Sequence, residues 1–501
     1  MEKSIFNVTS ELLDQNALLR GDKVAIRCKD EQVTYKELRE NVDRFANVLK
    51  SLGVKPTERV MILLPDSPAF FYAFLGSIKY GAWAVPVNTM LNESDYEYML
   101  ENSEARVLVT TAESKAAKIR TNHLCYKLFC DNGLESLMRN APAEFEPYPT
   151  QKEDIAFWLY SSGSTGRPKG TPHRHIDMVH SADNYGAKVL KLEEKDVCFS
   201  VSKLFFAYGL GNGMFFPLRA GASVVQLSTP PSPDSVLDTV ATYKPSIFFG
   251  VPTQYNSVLK KPNTADSFKS VRMCISAGEA LPPEIFSKWK ELTGLEILDG
   301  IGSTEALHIF ISNMPGDVKP GASGRVVPGY EAKIVDDLGN EVPQGEPGQL
   351  IIRGDSVTKG YWMRPDENAE KVLPDGWFKT GDMYVQEDGY FTYQGRGDDM
   401  LKVGGIWVSP VEIENVLLEH KAVHEAAVVG HDVEGLSKPF GYVALNEDYK
   451  TKSEEQLSEE LLQFVSERLP KFKWLRAVYF IDELPKTATG KIQRFKLRKA
   501  S

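Results

Sequence analysis

At 501 residues the chain is too long for one ordinary hydrophobic core, which predicts two domains or one large domain with a smaller companion. Its 42% hydrophobic and 25% charged residues are ordinary for a globular protein, and the formal net charge of −10 argues against nucleic acid as the main partner. The five cysteines are scattered without a CxxC pair, and no run of about 18 uncharged apolar residues occurs, so we expect a cytoplasmic protein without disulfides, zinc or membrane association.

The first part of the chain predicts helices packed on a largely parallel sheet. Residues 1–55 are predicted to be a helical opening, in which Thr34 and Glu37 have the spacing of a capped helix start. Short continuous apolar runs predict buried strands at 60–65, 84–87 and 105–110, with an apolar helix at 68–80. Strand and helix alternate in this way where helices cover a buried parallel sheet.

Residues 160–170 combine hydroxyl side chains, glycines and two cations, a composition suited to phosphate. Glycines let backbone N–H groups approach an anion, hydroxyls donate hydrogen bonds, and Lys169 adds charge. The run is not a Walker A motif, because Gly170 follows the lysine where that motif has Ser or Thr, so any metal ligand comes from elsewhere. A free Ser/Gly linker is the alternative, but a strand-like segment at 155–159 leads into the run and Pro168 stiffens it. The predicted phosphate site comprises Ser161, Ser162, Gly163, Ser164, Thr165, Gly166 and Lys169.

A second alternating stretch covers about 175–315 and ends in a glycine- and hydroxyl-rich turn at 299–305. Open α/β sheets bind ligands at the carboxyl ends of their parallel strands, where these predicted strands carry small or turn residues. Thr304 has a hydroxyl that donates to phosphate, and Glu305 offers the hard oxygen ligand for Mg²⁺ that the glycine run lacks. The alternative is a strand-to-helix turn in which Ser303 or Thr304 is the helix cap.

From about residue 320 the chain changes to short strands punctuated by glycine and proline, which predicts a β-rich, barrel-like subdomain at about 320–395. Asp382 follows a Thr-Gly pair, and its carboxylate is suited to two vicinal ribose hydroxyls, although an ordinary turn has the same composition. We place the main domain boundary after residue 397, which gives domains 1–397 and 398–501.

The last residues of the chain are basic, with no acid after Pro485. A basic tail is usually a solvated face or a nucleic-acid patch. Lys491, however, follows the turn-rich residues 487–490, which predicts that one particular lysine is presented.

Together these features resemble the adenylate-forming enzymes, the superfamily of acyl-CoA synthetases, peptide-synthetase adenylation domains and firefly luciferase. The resemblance spans essentially the whole chain. Its motifs are the glycine run at 161–170 and residues 302–305, 380–382, 395–399, 402–405 and 485–491. Within the superfamily, residues 203–212 and 304–310 are most similar to benzoate-CoA ligases and other aryl-CoA ligases.

The resemblance implies an α/β fold with a large N-terminal domain and a small mobile α+β C-terminal domain. The large domain would contain two α/β subdomains with mainly parallel sheets plus the β-barrel-like subdomain. It also implies ATP, Mg²⁺ and coenzyme A, used in two half-reactions. A carboxylate and ATP give acyl-adenylate and pyrophosphate, and the thiol of coenzyme A then displaces AMP.

The resemblance also implies a role for individual residues. Lys491 would bridge the carboxylate and the α-phosphate, Thr304 would bind the α-phosphate, and Glu305 would bind Mg²⁺. Asp398 matches the hinge about which the C-terminal domain rotates. The implied nucleotide site comprises Gly278, Glu279, Asp299, Gly300 and Ile301 around adenine, with Asp382 and Arg396 on the ribose. The implied thioester-forming face comprises Lys402, Gly404, Gly405 and Trp407.

For the acyl pocket we predict Ala207, Tyr208, Ala277, Gly302, His308 and Ile309. The small residues leave a flat space, and Tyr208 and Ile309 offer apolar walls for a ring. The alternative is that these are core residues at strand ends and that His308 is a packed, hydrogen-bonded histidine.

Other substrates and functions stay open at this point. A cyclohexane carboxylate or a medium-chain fatty acid fills a similar volume. The chain is also compatible with a stand-alone adenylation enzyme that loads a carrier protein, or with a non-catalytic nucleotide-binding regulator. A homodimer is left open.

Overall fold

The computed structural model describes residues 5–161, 167–403, 406–433, 436–486 and 492–499. None of the helices in these ranges is long and apolar enough to span a membrane.

The first sheet carries the strand that leads toward the predicted phosphate site. Its strand order is Tyr126–Phe129, Val107–Thr110, Arg59–Ile62, Trp83–Pro86, Ile155–Ser161 and Lys169–Arg174. Neighbours pair in parallel except the last two strands, which run antiparallel with Tyr160 opposite Gly170. The strands on both sides of residues 162–166 therefore belong to one antiparallel pair.

The second sheet carries the predicted acyl and adenine residues at its strand ends. Its strand order is Arg325–Val326, Ile309–Ser312, Ile297–Gly302, Met273–Ser276, Ile247–Gly250, Val197–Ser200, Ser223–Gln226, Val24–Cys28 and Glu31–Thr34. The strands from Ile297–Gly302 to Val24–Cys28 pair in parallel, and the outer strands are antiparallel. The parallel strands thus point their carboxyl ends toward one edge, where a ligand site is expected.

The predicted β-rich region is an antiparallel sheet, and the chain after it forms a separate α+β unit. The antiparallel sheet has the order Tyr330–Val335, Gly348–Gly354, Phe378–Glu387 and Tyr390–Arg396. Beyond it lie a pair of short strands, Leu401–Val403 and Ile406–Val408, and a sheet of Val423–Val433, Leu436–Leu445 and Val478–Phe480. Apolar side chains between Leu401 and Val478 form a buried cluster of their own.

Helices connect the strands and cover the sheets. The α-helices before residue 260 are Gln15–Leu19, Tyr35–Ser51, Pro68–Tyr80, Glu93–Ser103, Leu134–Asn140, His175–Ser181, Ala207–Leu210, Phe216–Ala220, Pro233–Tyr243 and Pro252–Leu259. Those after it are Thr264–Ser267, Pro283–Thr293, Pro365–Lys371, Pro410–Leu418, Glu454–Ser466 and Arg494–Lys499. Segments with wider, π-type turns are Ser10–Asp14, Ala182–Val189 and Gly211–Phe215. Short 3₁₀ turns are Lys115–Lys118, Phe268–Ser270, Pro374–Gly376, Glu447–Tyr449 and Lys471–Lys473.

The predicted helix start at Thr34 is confirmed. Its hydroxyl accepts a hydrogen bond from the Glu37 N–H at 3.2 Å, and the Glu37 carboxylate accepts one from the Thr34 N–H at 2.8 Å. The prediction that residues 1–55 are helical is wrong for two strands, Val24–Cys28 and Glu31–Thr34. Val24–Cys28 pairs with Ser223–Gln226, so a contact about 200 residues away in sequence decides its conformation.

Candidate active site

The parallel strand ends of the second sheet open into a cavity of about 280 Å³. All six predicted acyl residues line it: Ala207, Tyr208, Ala277, Gly302, His308 and Ile309. Thr304 and Gly278 line it as well, so the cavity extends from the predicted acyl residues to residues predicted to bind nucleotide.

Tyr208 is held against two strand ends at the acyl end of this cavity. Its hydroxyl is within hydrogen-bond distance of the backbone oxygens of Gly250, at 3.2 Å, and Ile275, at 3.3 Å. Burial raises the pKa of this hydroxyl well above its ordinary value, so it remains a protonated donor. The phenol is therefore tied to the scaffold by its polar group, and its ring contributes an apolar wall.

His308 is a buried, uncharged histidine. Its Nε2 lies 3.3 Å from the Tyr208 backbone oxygen and 3.1 Å from Asn212 Oδ1, and both are acceptors, which assigns the ring proton to Nε2. Burial lowers the pKa of His308 to about 3, so the acyl end carries no positive charge from it at neutral pH. The ring packs against Tyr185, Tyr208 and Phe216. It is thus both a packed histidine and part of the cavity wall.

Two glycines, Gly302 and Gly211, leave the space that His308 occupies. A Cβ at Gly302 would lie 2.6 Å from the His308 backbone oxygen, and a Cβ at Gly211 would overlap the His308 ring. Any larger residue at either position would force the backbone or the imidazole to move.

A charged pair, Asp66 and Lys203, is buried in another part of the cavity wall. The Lys203 ammonium lies 3.6 Å from the Asp66 carboxylate and donates to the Thr229 backbone oxygen at 2.8 Å. Burial raises the pKa of Asp66 to about 6, although the Lys203 charge opposes that rise. The pair joins a loop of the first sheet to a loop of the second, so both sheets contribute to the cavity.

The turn that holds Thr304 and Glu305 connects two antiparallel strands rather than a strand and a helix. Ile297–Gly302 pairs with Ile309–Ser312, which corrects the strand-to-helix alternative. Ser303 nevertheless caps the turn locally, because its hydroxyl accepts from the Ala306 N–H at 3.1 Å. The chain reverses direction within six residues, 303–308. Leu307 in this turn adopts the left-handed region at φ 70°.

Contacts from distant segments fix this turn. His173 Nε2 lies 2.8 Å from the Thr304 backbone oxygen. The Thr358 N–H donates to the Glu305 backbone oxygen at 2.7 Å, and the Tyr361 hydroxyl donates to Glu305 Oε1 at 2.8 Å. Glu305, predicted to bind Mg²⁺, is therefore anchored at both backbone and side chain, and Thr304, predicted to bind phosphate, is anchored at its backbone.

Lys169 reaches the same place from the first sheet. Its ammonium forms an ion pair with Glu367 and lies 5.1 Å from the centre of the Tyr361 ring. The backbone after it is also fixed, since the Trp362 N–H donates to the Gly170 oxygen at 2.8 Å. Ser161 ends the preceding strand. The other predicted phosphate-loop residues, Ser162, Gly163, Ser164, Thr165 and Gly166, lie outside the described residues.

The predicted adenine residues come from two adjacent parallel strands. Ser276 pairs with Asp299, which brings Gly278 and Glu279 beside Asp299, Gly300 and Ile301. The Asp299 carboxyl is buried and accepts from the Leu281 N–H at 3.3 Å. Burial raises the pKa of Asp299 to about 8, so the folded protein keeps this acid largely protonated at neutral pH.

The two predicted ribose residues are paired in the antiparallel sheet. Asp382 and Arg396 are register partners, and the Arg396 Nη1 lies 3.0 Å from Asp382 Oδ1. Burial opposes the positive charge on Arg396, but the Asp382 carboxylate raises the pKa of Arg396 and keeps it charged.

The predicted hinge and thioester-forming residues are only partly described. Asp398 is exposed, one residue before Asp399, which forms ion pairs with Arg494 and Arg498. The backbones of Lys402 and Trp407 face each other in a short antiparallel pair. Gly404, Gly405 and Lys491 lie outside the described residues.

Comparison with known proteins identifies the family. The AMP-binding enzyme family matches residues 13–362, and its C-terminal domain matches residues 412–491. The chain belongs to the AMP-binding enzyme family. The resemblance to adenylate-forming enzymes is thereby confirmed.

Individual members of this AMP-binding family are similar over the full chain. The benzoate–CoA ligase of Thauera aromatica is 44% identical, over 99% of this chain and 96% of that protein. A structure of a benzoate CoA ligase from Burkholderia xenovorans LB400 is 42% identical with a TM-score of 0.92, covering 99% of this chain and 100% of that one. The anthranilate CoA ligase AuaEII in complex with anthranoyl-AMP is 40% identical with a TM-score of 0.94, covering 99% and 97%. These structures confirm the mixed α/β fold with a large N-terminal and a small C-terminal domain.

Thr304 in the cavity wall and the neighbouring Glu305 and Lys169 fit the phosphates and Mg²⁺ of the nucleotide expected for this family. Mg²⁺ is usually held by one or two carboxylates together with substrate phosphates and water. Across the part of the chain that the structure describes, no group of three or more His, Cys, Asp or Glu side chains forms a metal site by itself. Glu305 supplies one carboxylate, and Thr304 and Lys169 supply a hydroxyl and a charge on the adjacent elements, which is the donor set for a metal carried by phosphates.

Four residues outside the motifs support the site and are not indicated by the sequence. Tyr361, Glu367 and His173 contact the phosphate end, and Asp66 pairs with Lys203. Their partners lie 56 residues or more away in sequence, so no local spacing points to them. The one available signal is that residues 358–368 interrupt the β-rich region with aromatic and polar residues in place of alternating strands.

Proposed function

We propose that this chain is an AMP-forming carboxylate–CoA ligase that acts on benzoate or a closely related aryl carboxylate. The observation that carries the proposal is the cavity, whose mostly apolar, uncharged acyl end leads directly to Thr304. A volume of about 280 Å³ is at the low end for small-molecule pockets and suits one ring better than a long chain. The benzoate- and anthranilate–CoA ligases to which the chain is similar support the same acid class.

In the first half-reaction the acid carboxylate attacks the α-phosphorus of ATP and pyrophosphate leaves. This attack needs charge neutralisation and alignment more than a general base. Thr304 would bind the α-phosphate, Glu305 would hold Mg²⁺, and Lys169 with the glycine run would bind the β- and γ-phosphates. Lys491 would stabilise charge between the carboxylate and the α-phosphate.

The nucleotide would lie along the strand ends next to the cavity. Asp382 and Arg396 would bind the ribose, and their mutual ion pair sets the carboxylate in a fixed orientation. Adenine would lie between residues 277–279 and 299–301. The protonated Asp299 adds no negative charge beside the adenine.

In the second half-reaction the thiol of coenzyme A attacks the acyl carbon and AMP leaves. The residues proposed for this face are Lys402, Gly404, Gly405 and Trp407, after rotation of domain 398–501 about Asp398. We likewise propose that the domain boundary follows residue 397 and that Asp398 is the hinge.

A screen of acids tests the function. Pyrophosphate release is measured with ATP, Mg²⁺ and coenzyme A over benzoate, hydroxybenzoates, aminobenzoates, cyclohexanecarboxylate and C4–C12 fatty acids. The proposal predicts the highest kcat/KM for benzoate or a substituted benzoate. A preference for cyclohexanecarboxylate or a fatty acid would contradict the aryl assignment, and thioester formation only on a carrier protein would contradict the coenzyme A assignment.

A further inference from the structure

Tyr361 contacts two of the charged groups predicted to bind the phosphates of ATP and their metal. Its hydroxyl donates to Glu305 Oε1 at 2.8 Å, and its ring lies 5.1 Å from the Lys169 ammonium. None of the motifs that carry the family resemblance includes this residue, which lies between the antiparallel strands Gly348–Gly354 and Phe378–Glu387.

The tyrosine itself is rigidly placed. Its N–H donates to Asn368 Oδ1 at 2.6 Å, and Asn368 Nδ2 donates back to its carbonyl at 2.9 Å. The residue is 7% exposed, and its ring meets the Phe378 ring edge-on at a centroid distance of 6.1 Å. A side chain fixed at both backbone and ring directs its hydroxyl to one point.

The hydroxyl acts only as a donor to Glu305. A carboxylate oxygen can only accept, so the Tyr361 hydroxyl is the donor in this pair. A hydrogen bond from a neutral hydroxyl to a carboxylate is charge-assisted and strongly orienting. Within the described part of the chain, Tyr361 is the one hydrogen-bond partner of the Glu305 side chain, and Oε2 makes no hydrogen bond there.

We propose that Tyr361 is a positioning residue that orients the Glu305 carboxylate for Mg²⁺ by occupying Oε1 and presenting Oε2. The inference rests on the proposed function, since it assumes that Glu305 meets the metal. Groups that orient a metal-binding carboxylate typically change metal affinity by about 10-fold or more when they are removed.

The test uses Tyr361→Phe, which removes the hydroxyl and keeps the ring against Lys169 and Phe378. Tyr35→Phe is the matched control, because the Tyr35 hydroxyl is also buried and donates to the Ala222 oxygen at 2.6 Å, away from the cavity. Calorimetry measures the affinity of a non-hydrolysable ATP analogue with saturating Mg²⁺ and with EDTA. The thermal unfolding midpoint of each variant checks that it is folded.

We expect Mg²⁺ to raise the affinity for the ATP analogue about 10-fold less in Tyr361→Phe than in the wild type. In EDTA the two proteins should bind the analogue equally. The Mg²⁺ concentration for half-maximal pyrophosphate release should rise by a similar factor, and Tyr35→Phe should behave like the wild type. A wild-type Mg²⁺ dependence in Tyr361→Phe, or an equal loss with and without Mg²⁺, overturns the proposal.

A second background separates positioning from general damage. In Glu305→Gln, Tyr361→Phe should cause no further change in Mg²⁺ dependence, because the carboxylate that it orients is gone. A full additional loss in that background overturns the inference. The binding measurement contains no acid, so its answer about Tyr361 does not depend on whether benzoate is the substrate.

Discussion

The acyl end of the cavity and the phosphate end of the site next to it are held in place by different interactions. At the acyl end, His308 is uncharged and packed among aromatic rings, and small residues leave the space open. At the phosphate end, Glu305 and Lys169 are held by hydrogen bonds and ion pairs from a segment about 60 to 200 residues further along the chain. The difference predicts that changes at the acyl end alter which acid is used, whereas changes at the phosphate end alter the reaction for every acid.

The largest effect is expected at the phosphate end. Lys491→Ala should lower adenylation by about 100-fold or more with every acid, because it removes the charge proposed to stabilise the transition state. Thioester formation from supplied benzoyl-adenylate should retain most of its rate. Pyrophosphate release and adenylate consumption measure the two steps. Lys496→Ala, an exposed lysine of the same basic tail, is the control. Equal losses in both half-reactions would refute the role given to Lys491.

A change at the acyl end should discriminate between acids. Ala207→Leu places a larger side chain in the cavity wall from the helix Ala207–Leu210, whereas the predicted adenine residues lie at strand ends. We expect kcat/KM for benzoate to fall by about 10-fold, the usual scale of an overpacked site, with a smaller loss for butyrate and an unchanged KM for ATP. If both acids lose the same factor, Ala207 does not face the acid.

Features set by local sequence could be predicted, whereas features set by contacts between distant segments could not. The parallel sheets and the six acyl residues follow from apolar runs and from motifs, and the structure brings those six together. The turn predicted at 299–305 is displaced, because residues 299–302 belong to the strand Ile297–Gly302 and the chain turns at 303–308. The strands before residue 35 were not predictable, since Val24–Cys28 depends on a partner about 200 residues away. Tyr361 and Asp66 were missed for the same reason, because each acts on a residue from another sheet or turn.

Protonation of Asp299 gives a pH signature for the nucleotide end. Its pKa is about 8 in the folded protein and about 3.9 when exposed, so between these values only the folded state retains the proton. Stability should therefore fall as pH rises through this window, by up to about 1.4 kcal/mol per pH unit. Asp299→Asn should lack this slope in chemical denaturation at pH 5, 6 and 7. The same slope in both proteins would show that Asp299 is ionised.

The smallest effect concerns the ion pair between Lys169 and Glu367. Glu367→Gln removes the carboxylate that competes with phosphate for this lysine, and partly exposed pairs are worth up to about 1 kcal/mol. We expect the KM for ATP to fall by about 2- to 5-fold with kcat unchanged. Glu370→Gln is the control, since Glu370 is in the same helix and pairs with Lys371 instead. A higher KM for ATP in Glu367→Gln would show that the carboxylate assists nucleotide binding.

The most direct test of the whole account is product analysis of one complete reaction. Benzoate, MgATP and coenzyme A are incubated with the wild-type protein, and benzoyl-CoA, AMP and pyrophosphate are quantified by mass spectrometry and enzymatic assay. We predict that benzoyl-CoA, AMP and pyrophosphate form in equal amounts and only when benzoate is present. Release of ADP and phosphate, or no benzoate-dependent pyrophosphate, would contradict it.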